Sequence, residues 1–194
     1  MRIIFYLNFL VFLVLCSCSL FETRTPENPD GETSPFIPPT SPNIVIDNFI
    51  EAVRNKNVEN YISCFAQTNF LFIPSSDATA KFPSLFDNWE TSNERSYLLA
   101  LSAALGQSNN IQLVFETREF QTISSDSAVL ITNYFINYNL QNTNHPTQYA
   151  GRVAFTMIPV QSGLWAISRW QDYLATPSNE LSEETWSSLK AYFH

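Results

Sequence analysis

Glycine is scarce in this chain, with four among 194 residues. A phosphate-cradling loop needs closely spaced glycines, so a nucleotide site of that type is excluded. Histidine numbers two and cysteine three, too few for the usual structural metal clusters. Charge is also low, at 14%, and leans one way: 10 basic against 18 acidic side chains, a net charge of -8. That balance excludes the basic footprint of a nucleic-acid binder. The sequence also lacks the Gly-x-Ser-x-Gly elbow of a serine hydrolase. No cofactor and no metal are expected. What is abundant is apolar and aromatic surface, at 45% and 14% of residues. This is enough to form a core, and the length suits one domain.

The first residues carry an address. Met1 and Arg2 precede an almost wholly apolar run from Ile3 to Leu15. One positive charge before a short apolar stretch is the layout of a secretory signal, and the run is shorter than a spanning helix needs. Leu15-Cys16-Ser17-Cys18 then resembles the bacterial lipobox, with Leu three positions before a Cys and a small residue just before it. Cys18 fits better than Cys16, which follows the bulky Leu15. The resemblance implies that residues 1–17 are removed and that Cys18 becomes an acylated N-terminus, since several chains anchor stably where one holds weakly. Ser19 after that Cys leans towards the outer rather than the inner membrane. The exported domain keeps only Cys64, so it has no internal disulfide. Cys64 lies on a helical pattern and reads as a small hydrophobe, not a nucleophile, because no His partners it in the sequence.

Residues 18–42 read as a tether. Six of the 11 prolines fall here: Pro26, Pro29, Pro35, Pro38, Pro39 and Pro42. Such a stretch cannot form a helix interior or a central strand. Extended at ~3.1 Å per residue, it reaches up to about 70 Å, a spacer between membrane and domain.

Residues 43–194 carry the domain. Ser41-Pro42 is a helix start, and Ile46, Phe49, Ile50 and Val53 recur at helical spacing. Asn57 suits the cap of a second short helix with Val58, Tyr61, Ile62 and Phe65 on one face. Phe70 to Ile73 before Pro74 reads as a buried strand. Residues 75–90 read as irregular. Ser92 suits a cap for a third helix bearing Tyr97, Leu98, Leu101 and Leu105, ended by Gly106. From Ile111 the period becomes two. Leu113 and Phe115 alternate, and Phe120 falls out of phase, which predicts a bulge or a change of face. Leu130, Tyr134, Ile136 and Tyr138 share a face, as do Gly151, Val153, Phe155 and Met157. Short joins favour antiparallel neighbours. A closing strand runs from Leu164 to Tyr173. A tail helix over 182–193, capped by Ser182 and beginning at Thr185, puts Trp186, Leu189 and Phe193 on one face.

Two stretches carry a family resemblance. One runs from Val45 through Phe49, Ile50, Val53 and Asn57 to Tyr61; the other is Trp165-Ala166-Ile167-Ser168-Arg169-Trp170-Gln171-Asp172-Tyr173. They resemble the opening helices and closing strand of the nuclear transport factor 2-like fold, the cone shared with ketosteroid isomerase and scytalone dehydratase. The resemblance covers residues 43–173 and rests mostly on packing positions. Asn57 stands where the family often has Asp, and both residues cap helices. It implies an α+β domain whose curved antiparallel sheet wraps helices and often leaves a pocket. The alternative is another sheet with helices on one face.

Family enzymes place an Asp or His in that pocket. His145 sits in a turn-like Asn-Pro-rich stretch and His194 is the last residue, so neither is expected to face it. The candidate pocket residues are Tyr134, Tyr138, Arg152, Arg169, Trp170 and Asp172. Arg169 and Asp172 lie on opposite faces of a regular strand and cannot both line the pocket without a bulge. Each Tyr and Trp also fits plain core packing, and each charged residue a place on the surface. Three functions remain open. One is a lipid-anchored, non-catalytic domain binding a small apolar or aromatic ligand or an envelope partner. Another is an isomerase- or dehydratase-like enzyme, which needs a buried carboxylate beside a Tyr or Arg donor. The last is a scaffold presenting Trp186, Leu189, Tyr192 and Phe193 to a protein partner, which requires that helix to be free of the sheet.

Overall fold

A computed structural model describes residues 35–194 except 142, 161–162 and 175–183. The signal segment, Cys18, Ser19 and most of the tether lie outside the described residues, as does Ser182. Among the described residues no helix is long and apolar enough to cross a membrane.

The chain enters along an extended segment before the first helix. This segment is fastened at two points: Asn48 exchanges hydrogen bonds with the Ile37 backbone at 3.1 and 2.6 Å, and the Trp165 N–H donates to the Pro39 carbonyl at 2.8 Å. Helix α1 (Pro42–Arg54) follows Ser41, with Pro at its first position, where the missing N–H costs nothing. It buries Val45, Ile46, Phe49, Ile50 and Val53 and turns Asp47 and Glu51 outward. Lys56 adopts a left-handed conformation (φ 57°) and its ammonium donates to the carbonyls of Gly106 and Asn109, both at 2.6 Å. Asn57 then caps α2 (Val58–Ser63), accepting the Asn60 N–H at 3.0 Å.

Strand β1 (Leu71–Ile73) leads into α3 (Ser76–Lys81). This helix was not visible as a pattern, since it buries only Ala78. Helix α4 (Thr91–Leu105) starts earlier than Ser92 suggests. Glu90 is its cap and closes a capping box with Asn93. The remaining strands are β2 (Ile111–Phe115), β3 (Phe120–Ile123), β4 (Ala128–Tyr138), β5 (Gln148–Pro159) and β6 (Trp165–Leu174). Both β2 and β3 lie along β4, β2 beside Tyr134–Tyr138 and β3 beside Ala128–Leu130. The break between them accounts for the lost phase at Phe120. The sheet order is β1-β6-β5-β4-β2, antiparallel except for β1 beside β6, and it is curved and unclosed. Helix α5 (Trp186–Tyr192), capped by Thr185, ends the chain.

Alternation sorts the faces. On β4 the even positions from Ala128 to Tyr138 are buried, and on β5 Val153, Phe155 and Met157 are. These line the concave side. Phe49 of α1 sits at its centre, with Phe155 at 5.2 Å, Trp170 at 5.5 Å and Trp186 at 5.7 Å between ring centroids. The first two pairs are edge-on and the third is tilted, and such aromatic packing adds specificity to plain burial.

Candidate functional site: the cone interior and an outer cleft

The concave side carries polar groups as well as rings. On β6, Trp170 and Asp172 point inward, while Arg169 and Gln171 point out. A register shift between β5 and β6 beside Ser168 leaves this alternation intact from Arg169 onward. On β4, Tyr134 stands two strands away and donates its hydroxyl to Asp172 Oδ1 at 2.8 Å. From the helices come Tyr61 of α2 and Glu94 and Tyr97 of α4, all buried. Tyr61 donates to Glu94 Oε2 at 2.6 Å, and the Trp89 indole donates to Glu94 Oε1 at 2.8 Å.

Helix α5 fills the space between these groups. Trp186 packs its indole against Trp170 (4.7 Å) and Tyr134 (5.3 Å) and donates Nε1–H to the Tyr97 hydroxyl at 3.0 Å. Its backbone N–H donates to the Tyr134 hydroxyl at 2.6 Å. Ser187 gives Asp172 Oδ2 both its N–H (2.7 Å) and its hydroxyl (2.6 Å). Its hydroxyl in turn accepts the Ser75 N–H at 3.0 Å, and Ser75 and Thr185 share a hydroxyl bond at 2.7 Å. One turn on, the Lys190 ammonium pairs with Glu94, and neither side chain has any exposure.

Electrostatics follow from the burial. Removal from water pushes the Asp172 carboxyl up to about 6, while the bonds from Ser187 and Tyr134 pull it back. Burial pushes Lys190 down to about 8, against the pull of Glu94. The hydroxyls of Tyr61, Tyr97 and Tyr134 are raised well above the ordinary phenol value, burial being the largest cause in each. A buried acid near neutrality beside a tyrosine hydroxyl is the pairing proton-transfer chemistry uses. Here the bonds are already made. Both carboxylate oxygens of Asp172 and the hydroxyl of Tyr134 are engaged within the chain.

The candidate residues therefore separate. Tyr134, Trp170 and Asp172 come together in the interior. Tyr138 is buried further along β4, bonded to the Pro146 carbonyl at 3.1 Å and facing the Tyr149 hydroxyl at 3.3 Å, its own hydroxyl raised to about 12 by burial. Arg152 and Arg169 lie on the outer face and do not line the interior. Arg152 stacks on Tyr173 at 5.0 Å, and Arg169 donates to Gln171 at 3.1 Å. The tail helix is core: Trp186 and Leu189 are fully buried and Phe193 nearly so. Only Tyr192 reaches the rim, bonded to Lys81 at 2.7 Å and Glu184 at 3.1 Å. The two histidines flank that tail. His145 stacks on Tyr192 at 5.1 Å, and His194 packs on Trp89 at 5.0 Å.

Glu94, Lys190 and Ser187 are interior groups that the reading of the sequence missed. Two of them carried a signal. Glu94 lies on the same stripe as Leu98, Leu101 and Leu105, and Lys190 lies four residues after Trp186. A charge on an apolar stripe marks either a buried partner or a break in the pattern.

A second concavity lies outside the cone. Phe36 and Pro39 of the entering segment, Phe65 and Ala66 after α2, and Leu164 and Trp165 at the start of β6 line a cleft of about 560 Å³. Its size suits a small molecule, and Gln67 and Asn69 add polar groups to a mostly apolar wall. No group of His, Cys, Asp and Glu able to hold a metal occurs among the described residues.

No family model and no curated protein sequence matches this chain. Solved structures do. A candidate aromatic ring hydroxylase from Novosphingobium aromaticivorans superposes with a TM-score of 0.51 at 13% identity, covering 69% of this chain and 85% of that one. The beta subunit of benzoate 1,2-dioxygenase from Burkholderia mallei gives 0.51 at 12%, covering 67% and 85%. An NTF2-like protein from Cytophaga hutchinsonii gives 0.48 at 15%, covering 67% and 92%. Identities this low speak to architecture alone. With its helices held in a curved, unclosed sheet, the domain has the nuclear transport factor 2-like cone fold.

Proposed function

We propose that this chain is a lipid-anchored protein of the bacterial envelope that binds a small apolar or aromatic ligand without catalysis, at the cleft beside Phe36, Leu164 and Trp165. One observation carries the reading: Tyr134 and Asp172 of the cone interior are bound by the chain's own tail, while the mostly apolar outer cleft stays open. The lipobox and the proline-rich tether support attachment through Cys18, and Ser19 supports the outer membrane.

Cys18→Ala tests the anchor. Loss of acyl labelling and release from membranes is the expected result, and labelling that persists overturns the assignment. The cleft is tested with N-phenyl-1-naphthylamine, an apolar fluorescent probe. Saturable binding that falls at least tenfold in Leu164→Lys supports the reading; binding unchanged by that substitution removes it.

The isomerase- or dehydratase-like reading keeps one observation, the buried Asp172 beside Tyr134. It requires that α5 leave the interior during turnover. A scaffold built on Trp186, Leu189 and Phe193 lacks an exposed surface to act through.

A further inference from the structure

The Lys190 ammonium occupies an unusual place. Its nitrogen lies 3.4 Å from the centroid of the Trp170 ring and 3.6 Å from that of Phe72, with Trp89 at 5.8 Å and Tyr97 at 6.0 Å. Glu94 closes the remaining side as its ion pair. Aromatic faces around a carboxylate are the chemistry that recognises an organic cation, through the negative π faces and one charge-assisted hydrogen bond. Each member of the cage lies outside α5. Phe72 is on β1, Trp170 on β6, Tyr97 and Glu94 on α4, and Trp89 just before α4. The carboxylate is also held without the lysine, because Tyr61 and Trp89 donate to its two oxygens. The tail thus supplies none of the cage's walls.

Plain packing does not account for it. A buried ion pair is weak as a source of stability, and apolar residues of similar volume serve as well or better. The plug is polar along its length, with Thr185, Ser187, Ser188 and Lys190 all fully buried. Ser187 and Lys190 meet Asp172 and Glu94 in turn, and Thr185 meets Ser75.

We propose that the cone interior is a recognition site for a primary alkylammonium, which the chain fills with its own Lys190, so that free amine and tail compete for one cage. The close ring distances fit an unmethylated ammonium head and exclude a trimethylated one, which needs wider spacing. The acidic net charge of -8 favours approach of a cation. This site is separate from the outer cleft, and its test uses a different probe from the naphthylamine test of the cleft.

The test uses the full chain with Lys190→Ala, which empties the stem and head of the lysine and leaves the cage. n-Propylammonium chloride replaces that volume and charge, with 1-propanol as neutral counterpart, tetramethylammonium as bulky counterpart, and sodium chloride balancing ionic strength. The variant should gain about 3–6 °C in thermal midpoint at tenfold n-propylammonium over its Kd. The intact chain should need at least tenfold more amine, since its tethered lysine competes at high effective concentration. Adding Glu94→Gln to the variant should abolish the gain. A gain equal with 1-propanol or with tetramethylammonium overturns the proposal, as does no gain, an equal response of the intact chain, or a gain indifferent to Glu94→Gln. Should Lys190→Ala be unfolded alone, the same reagents are read by recovery of helical circular dichroism. Recovery with n-propylammonium only supports the cage, and failure to recover refutes it.

Discussion

Asp172→Asn separates the burial of a charge from the burial of its hydrogen bonds. Asp172 is fully enclosed, and its carboxyl rises from 3.8 to about 6 because desolvation outweighs the bonds from Ser187 and Tyr134. Between those values the folded chain holds a proton that the unfolded chain has released. Stability therefore falls as pH rises through that window, the reverse of an ordinary salt-bridged carboxylate. About two pK units at ~1.4 kcal/mol each give roughly 3 kcal/mol in all, of which about 2–2.5 kcal/mol is lost between pH 4 and pH 7. Asparagine does not titrate and lacks this loss. It also presents an amide where two acceptor oxygens face Tyr134 and Ser187, so a constant cost of about 1–3 kcal/mol is superimposed. The informative quantity is thus a slope, not a level. Urea unfolding of both proteins at pH 4, 5, 6 and 7 should show the stability of the wild type relative to Asp172→Asn falling by about 2–2.5 kcal/mol across the series. Parallel curves would refute the reasoning, since they would mean that Asp172 titrates alike in both states.

Trp186→Ala removes the largest side chain of the plug and should cost about 3–5 kcal/mol in denaturant unfolding, against near neutrality if the tail were a peripheral feature. Gly151→Ala places a Cβ 2.4 Å from the Tyr134 hydroxyl and 2.6 Å from the Tyr173 carbonyl. Overpacking of that kind costs about 1–3 kcal/mol, and the displaced tyrosine should also register as a changed near-ultraviolet circular dichroism spectrum. Cys64 is buried, donates to the Asn60 carbonyl at 3.3 Å and has its thiol pushed far above the ordinary value by burial. Iodoacetamide should leave it unmodified in the folded protein and label it only in urea; labelling under native conditions contradicts this burial.

The parts of the fold that were legible in the sequence were those where one periodicity governs a whole element. Helix α1 combines Ser41-Pro42 with four apolar residues on one stripe, and strands β4 and β5 alternate without interruption. Helix α3 failed because a helix with one buried residue writes no stripe. The cap of α4 was misplaced because Glu90 and Asn93 make the box through side chains that a Ser at 92 outranks on preference alone. In the site, Asp172, Tyr134 and Trp170 could be named because each sits on an inward strand position. Their partners could not, because Ser187 and Lys190 reach them from a helix whose docking depends on the assembled, curved sheet. The exposed arginines show the converse. Arg152 and Arg169 have the chemistry of a site, and only the alternation of their strands decides that they face water.

The tail changes what the cone can be used for. A nuclear transport factor 2-like sheet whose concave walls were merely apolar would accept any greasy helix as a lid. These walls instead present a carboxylate on β6, a second carboxylate on α4 and three tyrosine hydroxyls, each of which costs free energy unless it is bonded. The plug supplies one donor after another in the order the walls require: a backbone N–H for Tyr134, a backbone N–H and a hydroxyl for Asp172, an indole N–H for Tyr97, an ammonium for Glu94. Had stability alone shaped this interior, neutral walls and a neutral plug would suffice, and the buried pair between Lys190 and Glu94 would be a cost without a return. The matched polarity makes sense if the walls bind something polar, and the tail imitates it.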